Sequence, residues 1–147
     1  MIPRFDEPIR PGIAYRNRPG VYALITRGDE VLVTFQAGVH QEFQLPGGGI
    51  DPGEGVLSAL YREIREETGW KVSDPRRVGS FQRYTEMPEY GFWARKVCHI
   101  YHCHPVYAKW PIMEADHSAV WMHWREAEAV LANEGDRYYL RRLFSRG

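Results

Sequence analysis

Two hydrophobic periods divide this chain. Val21-Tyr22-Ala23-Leu24-Ile25-Thr26 and Val31-Leu32-Val33-Thr34-Phe35 are short runs rich in β-branched and aromatic residues. Arg27-Gly28-Asp29-Glu30 lies between them, so the two runs predict an antiparallel hairpin. Residues 37–42 read as a loop. Phe43-Gln44-Leu45 reads as a short strand entering Pro46-Gly47-Gly48-Gly49. From about Gly53 or Glu54 to Thr68 the apolar period changes to that of a helix, and Gly69 is a natural stop. Residues 77–86 and 94–106 predict two longer strands, joined through Met87-Pro88-Glu89-Tyr90-Gly91. Ala119–Trp124 predicts another strand, and residues 125–133 and 137–145 predict closing helices. Pro3, Pro8, Pro11 and Pro19 mark residues 1–19 as an irregular N-terminal arm.

The order is strands, helix, strands, helices, with no internal repeat and no dividing linker. It predicts one α/β domain over residues 1–147, a mixed sheet with helices packed on its faces. The chain's 147 residues are 44% hydrophobic and 14% aromatic, which supplies a core and excludes a disordered segment. Formal net charge is +0, so bulk charge does not favour duplex nucleic acid or an anionic membrane as partner. No apolar signal region opens the sequence, and no run approaches the ~18 residues that span a bilayer. A cytoplasmic protein, monomeric or homodimeric, is the expectation.

Cys98 and Cys103 are too few for a disulfide framework. With His99, His102 and His104 they suggest zinc, but strand alternation argues against it. Cys98, His102 and His104 point one way, His99 and Cys103 the other, and structural zinc needs four convergent ligands. Sixteen of the 19 basic residues are arginine, whose planar fork suits phosphate.

The central helix carries the chemistry. At about 100° per residue, Leu57, Leu60, Tyr61 and Ile64 fall in one arc, the expected core face. Glu63, Glu66 and Glu67 fall in a neighbouring arc. Three carboxylates on one side repel by ~0.2–0.5 kcal/mol per pair, and they lie towards the end that the helix dipole makes negative. A solvated acidic face paired with Arg62 and Arg65 is one explanation; a hard divalent cation is the other. The glycine run before the helix brings backbone groups close to a metal or phosphate, and it is not a P-loop.

Gly48, five residues, Glu54, seven residues, then Arg62-Glu63-Ile64-Arg65-Glu66-Glu67-Thr68-Gly69-Trp70 form one pattern. It resembles the Nudix box, Gly-x5-Glu-x7-Arg-Glu-U-x-Glu-Glu-x-Gly-U, with U bulky and aliphatic. Every fixed position matches, and Trp70 stands where an aliphatic residue is usual. The resemblance implies an α/β/α sandwich and Mg²⁺- or Mn²⁺-dependent attack of water on a diphosphate linkage in a nucleoside diphosphate derivative. It implies Glu66 and Glu67 as metal ligands, Glu63 as ligand or general base, and a carbonyl of Gly47 or Gly48 as a further ligand. Arg62 would orient a box glutamate, and Glu54 would support the loop.

Glu114 and Asp116 are candidates for an extra carboxylate from outside the box. Arg83, Tyr84 and Arg95, beside Phe81, are candidates for substrate contact, and Tyr90, Trp93 and Trp110 for stacking on a base. The substrate expected is a small nucleotide, with nucleic acid disfavoured. A non-catalytic nucleotide-sensing module on the same scaffold is the alternative. Diphosphate isomerase chemistry is disfavoured, because no cysteine precedes the box.

Overall fold

The structure, a computed structural model, describes residues 2–38 and 41–145; Val39 and His40 of the predicted loop lie outside them. The strands are β1 Tyr15–Arg27, β2 Glu30–Gln36, β3 Glu42–Gln44, β4 Gly47–Gly49, β5 Trp70–Met87, β6 Phe92–Ala108 and β7 His117–His123. The helices are α1 Val56–Thr68, α2 Trp124–Val130 and α3 Glu134–Ser145.

The sheet runs β3-β2-β1-β6-β5, with β4 paired to β1 and β7 to β2. The expected hairpin is present: Thr26 pairs with Val31 and Arg27 with Glu30, around a Gly28-Asp29 turn. β1 and β6 pair in parallel from Tyr15↔Trp93 to Ile25↔Cys103, so the sheet is mixed. β5 and β6 form a long antiparallel ribbon with three register shifts near the start of β5. These irregularities hide the first turns of β5 from a period-2 reading, which placed its start at residue 77.

β1 alternates between two cores, as a central strand covered on both faces must. Val21, Ala23 and Ile25 pack with Ala59, Leu60 and Ile64 of α1. Leu24 packs on the other side with Phe81, Ile100, Ala127, Tyr139 and Leu140, under α2 and α3. The mixed sheet with helices on its faces is therefore the fold.

Several boundaries and faces differ from expectation. β1 starts at Tyr15, so it takes the last five residues of the predicted arm. The rest of the arm is tied to β5, with Phe5 N–H donating to Gln82 O at 3.0 Å. α1 starts at Val56, because Gly53 has φ +80° and Gly55 is extended. Its C-terminus is as expected: Gly69 adopts the left-handed conformation and donates to Arg65 O at 2.9 Å. The core face of α1 is rotated from the hydrophobic arc. Leu57 and Tyr61 are 44% and 41% exposed, while Ala59 is fully buried and Glu67 is only 9% exposed. The small Ala59 lets the helix approach the sheet, and that approach carries Glu67 inward. Phe81 is also core, fully buried between Phe5 and Tyr139, which removes it from the substrate contacts.

Candidate active site

α1 and the glycine strand β4 build the site together. β4 lies antiparallel on β1, with Val21 opposite Gly48 and Tyr22 opposite Gly47. Both positions leave no free room for a side chain, against backbone at Gly47 and against the Glu63 carboxyl at Gly48. A Cβ on Gly48 would lie 2.6 Å from the Glu63 carboxyl carbon. A Cβ on Gly47, whose φ is +152°, would collide with Val21 O and stand 2.6 Å from Tyr22 Cα. Gly47 N–H donates to Glu67 Oε1 at 3.0 Å, which fixes the buried carboxyl against the strand.

Arg62 is the hub of the acidic face. Its Nε and Nη2 donate to Glu54 Oε2 and Oε1 at 2.7 and 2.9 Å, a two-pronged bond. Nη1 donates to Glu63 Oε1 at 3.0 Å and Glu66 Oε2 at 3.3 Å, and Nη2 also reaches Gly49 O at 3.1 Å. Glu54 in turn accepts from Asp51 N–H at 3.0 Å. Arg62's hydrogen bond lowers the Glu54 carboxyl to about 2. The expected positions of Glu54 and Arg62 are thus brought together, and one arginine spans loop and helix.

The three glutamates share a pattern. Each has one oxygen held by the protein: Glu63 and Glu66 by Arg62, Glu67 by Gly47. The second oxygen of each makes no hydrogen bond among the described residues; that of Glu67 lies 3.7 Å from His117 Nε2. Burial raises the Glu67 carboxyl to about 8, and Glu63, Glu114 and Glu66 add to the rise against the Gly47 N–H. Burial likewise raises Glu63, opposed by Arg62. Crowded hard oxygens with too little positive charge are what a divalent cation offsets. Among the described residues no three His, Cys, Asp or Glu groups are placed to hold a metal ion as they stand. Glu63 and Glu66 are drawn towards Arg62, so closure around a cation would need side-chain rotation. The donor chemistry fits a hard divalent cation.

Outside the box the candidates separate. Glu114 N–H donates to Glu66 O at 3.3 Å, and the Glu114 charge acts on both Glu63 and Glu67. Asp116 instead holds the end of β2: its carbonyl accepts from Ala37 N–H at 2.8 Å. Arg83 lines a cleft beyond the glycine strand, near Asp6. Tyr84 and Arg95 turn away from it, to Gln82, Tyr15 and Asn17. Two clefts adjoin here. The inner one, about 210 Å³, contacts Glu67, Gly47, Gly48, Tyr90 and His117. The outer one, about 590 Å³, contacts Arg83 and Trp93. Trp110 lines a third, separate hollow on the outer side of α1, under Arg65, which Arg62 and Glu66 also border.

Sequence reading missed His117 and Lys96, which face the clefts. Their placement depends on pairing between distant strands. The zinc reading fails as alternation argued: Cys98 and Cys103 belong to opposite cores, His99 bonds Ser80, and His102 bonds Thr26. Burial pushes both thiols up to about 12.

A family model described as the NUDIX domain matches residues 16–143. The chain belongs to the Nudix family. An RNA pyrophosphohydrolase of Legionella pneumophila is 37% identical over 70 residues, 48% of this chain and 39% of that protein. A NAD-capped RNA hydrolase of Stutzerimonas stutzeri is 36% identical over 69 residues, 44% of this chain and 24% of that protein. The matches to these Nudix relatives therefore span well under half of their length. A solved NUDIX hydrolase from Nitrosomonas europaea superposes with a TM-score of 0.70 at 18% identity, over 88% of this chain and 90% of that one. That likeness shows the Nudix fold. Among the described residues no helix is long and apolar enough to cross a membrane.

Proposed function

We propose that this Nudix chain is a divalent-metal-dependent hydrolase that cleaves a diphosphate linkage in a nucleoside diphosphate derivative, with water attacking phosphorus. The observation that carries this reading is the arrangement of Glu63, Glu66 and Glu67, each with one oxygen anchored and one open. Together with a carbonyl of Gly47 or Gly48 they would hold Mg²⁺ or Mn²⁺. When bound, the cation supplies positive charge to the phosphoryl oxygens as they gain charge.

The chain's own residues do the positioning. Arg62 holds one oxygen each of Glu63 and Glu66, and Glu54 holds Arg62, so the carboxylates are kept at the site and would rotate about that anchor to close on the cation. Gly47 orientates Glu67. Glu114 adds a carboxylate at the rim and is the stronger of the two candidates from outside the box. Arg83 is the candidate substrate contact that lines a cleft.

A small nucleotide fits the adjoining clefts and the +0 net charge. The names of the two relatives point to RNA and to NAD-capped RNA, so RNA carrying a 5′-triphosphate or an NAD cap joins the substrates worth testing. The test is incubation with nucleotide sugars, dinucleoside polyphosphates, nucleoside triphosphates and such RNA ends, with Mg²⁺ in ¹⁸O-water. Turnover with ¹⁸O in one phosphate product, abolished by EDTA, is expected. Tight nucleotide binding without turnover would replace the enzyme by a sensing module.

A further inference from the structure

Arg18 and Lys96 are cross-strand neighbours in the parallel pairing of β1 with β6. Both line the inner cleft, with Glu67 and the three glycines of β4. Like charges side by side on one sheet face destabilise it. Neither side chain forms an ion pair among the described residues. Arg18 rests over the rings of Tyr90 and Phe92 at 5.2 and 6.0 Å, which leaves its edge open for hydrogen bonding. Lys96 is half-buried beside Arg83 of β5, with the Asp136 and Glu89 charges acting on it but no ion pair formed among the described residues, and burial holds its amine below the usual range. A half-buried ammonium without a paired carboxylate carries a desolvation cost that a bound anion offsets.

Lys96 also stands at a junction. Gln36, Gln44, Met87, Glu89 and Lys96 line both the inner and the outer cleft. The two hollows therefore meet along one trough, from Glu67 to Arg83 and Trp93. Among the described residues, its inner end reaches Glu67 and its outer end does not, and at the inner end the cations outside any ion pair are Arg18 and Lys96. Glu89, the carboxylate shared by both clefts, is exposed at the turn after β5 and forms no ion pair with Lys96.

We infer that Arg18 and Lys96 form an anion clamp for a phosphate of the substrate, positioning a nucleotide that lies along the trough. This rests on the proposed hydrolase reading for its link to turnover, but binding tests it separately. Lys96 is a positioning residue: it holds a phosphate and transfers no proton. A charge-assisted bond to phosphate in such a place corresponds to about 10- to 100-fold in affinity.

The experiment measures binding of α,β-methylene-ADP, and of methylene diphosphonate as a probe without a base, in the presence of Mg²⁺. Lys96→Met should raise Kd at least ~10-fold for both, and Lys96→Arg should recover most of it. In turnover, Lys96→Met should raise KM by about the same factor with kcat nearly unchanged. Ligand protection of the Lys96 amine from acetylation, read by mass spectrometry, tests the wild-type chain should the Met variant not fold. Unchanged Kd in Lys96→Met, failure of both probes to bind, or no protection overturns the clamp. Lys96-dependent binding without any wild-type turnover would keep the clamp and overturn the hydrolase. Turnover with KM unmoved by Lys96→Met would do the reverse.

Discussion

The Glu63 carboxyl group occupies the space that a side chain on Gly48 would take, 2.6 Å from the position of its Cβ. The box glycine and the box glutamate are thus two halves of one contact. Gly48→Ala meets only the end of a flexible side chain, so Glu63 can swing aside. Stability should fall by less than ~1 kcal/mol, while kcat should fall ~10²-fold as Glu63 leaves its place. Gly47→Ala meets backbone and needs a strained φ, so it should cost at least ~2 kcal/mol. Thermal melts and initial rates of the two variants separate the effects.

Arg62 should behave as a positioning residue rather than a simple charge. Arg62→Lys keeps the charge but loses the fork that grips Glu54 while reaching Glu63 and Glu66. It should lose ~10-fold or more in kcat, and Arg62→Ala ~10²-fold, with smaller changes in KM. The Glu54 carboxyl is depressed, so its pair with Arg62 is fully formed above the usual range near ~4.3 and lost as pH falls through about 2. Glu54→Gln should therefore weaken the enzyme at neutral pH, where the native pair is intact.

Asp136, buried in the first turn of α3, sets a pH dependence of stability. Burial raises its carboxyl to about 7, opposed by Arg83, the Leu45 N–H and Lys96. The folded chain keeps this proton where the unfolded chain, with an ordinary value near ~3.9, has lost it. Stability therefore falls as pH rises from about 4 to about 7, by roughly 2–4 kcal/mol from this group, and then levels. Glu67 adds a slope of the same sign that continues to about 8. Asp136→Asn should flatten the lower part of the curve in denaturant melts. An unchanged slope between pH 4 and 7 would remove Asp136 from this role.

Much of the candidate site was legible because it is local. Gly48, Glu54, Arg62 and the three glutamates lie in one loop and one helix, and their spacing carried them together. The two faces of β1 were legible from alternation. The face of α1 was not, because the wheel weighed hydrophobicity alone. Tyr61 and Leu57 are apolar yet exposed, and Glu67 is charged yet turned inward by the close approach at Ala59. Lys96 and His117 were illegible for a different reason. Lys96 meets Arg18 through parallel pairing across 78 positions, and His117 reaches Glu67 by way of β7 on β2. No local pattern encodes such neighbours. The N-terminal arm misled because its prolines masked a strand that begins before Pro19.

The most direct measurement compares wild type with Glu67→Gln for Mg²⁺ binding and turnover of the best substrate. Glutamine preserves shape and still accepts from the Gly47 N–H, but it removes the crowded charge. The metal-free variant should be more stable at pH 8, by at least ~1 kcal/mol, because a costly buried charge is gone. Its melting temperature should no longer respond to Mg²⁺, and kcat should drop at least ~10²-fold. A Glu67→Gln protein that binds Mg²⁺ and turns over substrate as wild type does would contradict the assignment of this helix as the metal-holding catalytic face.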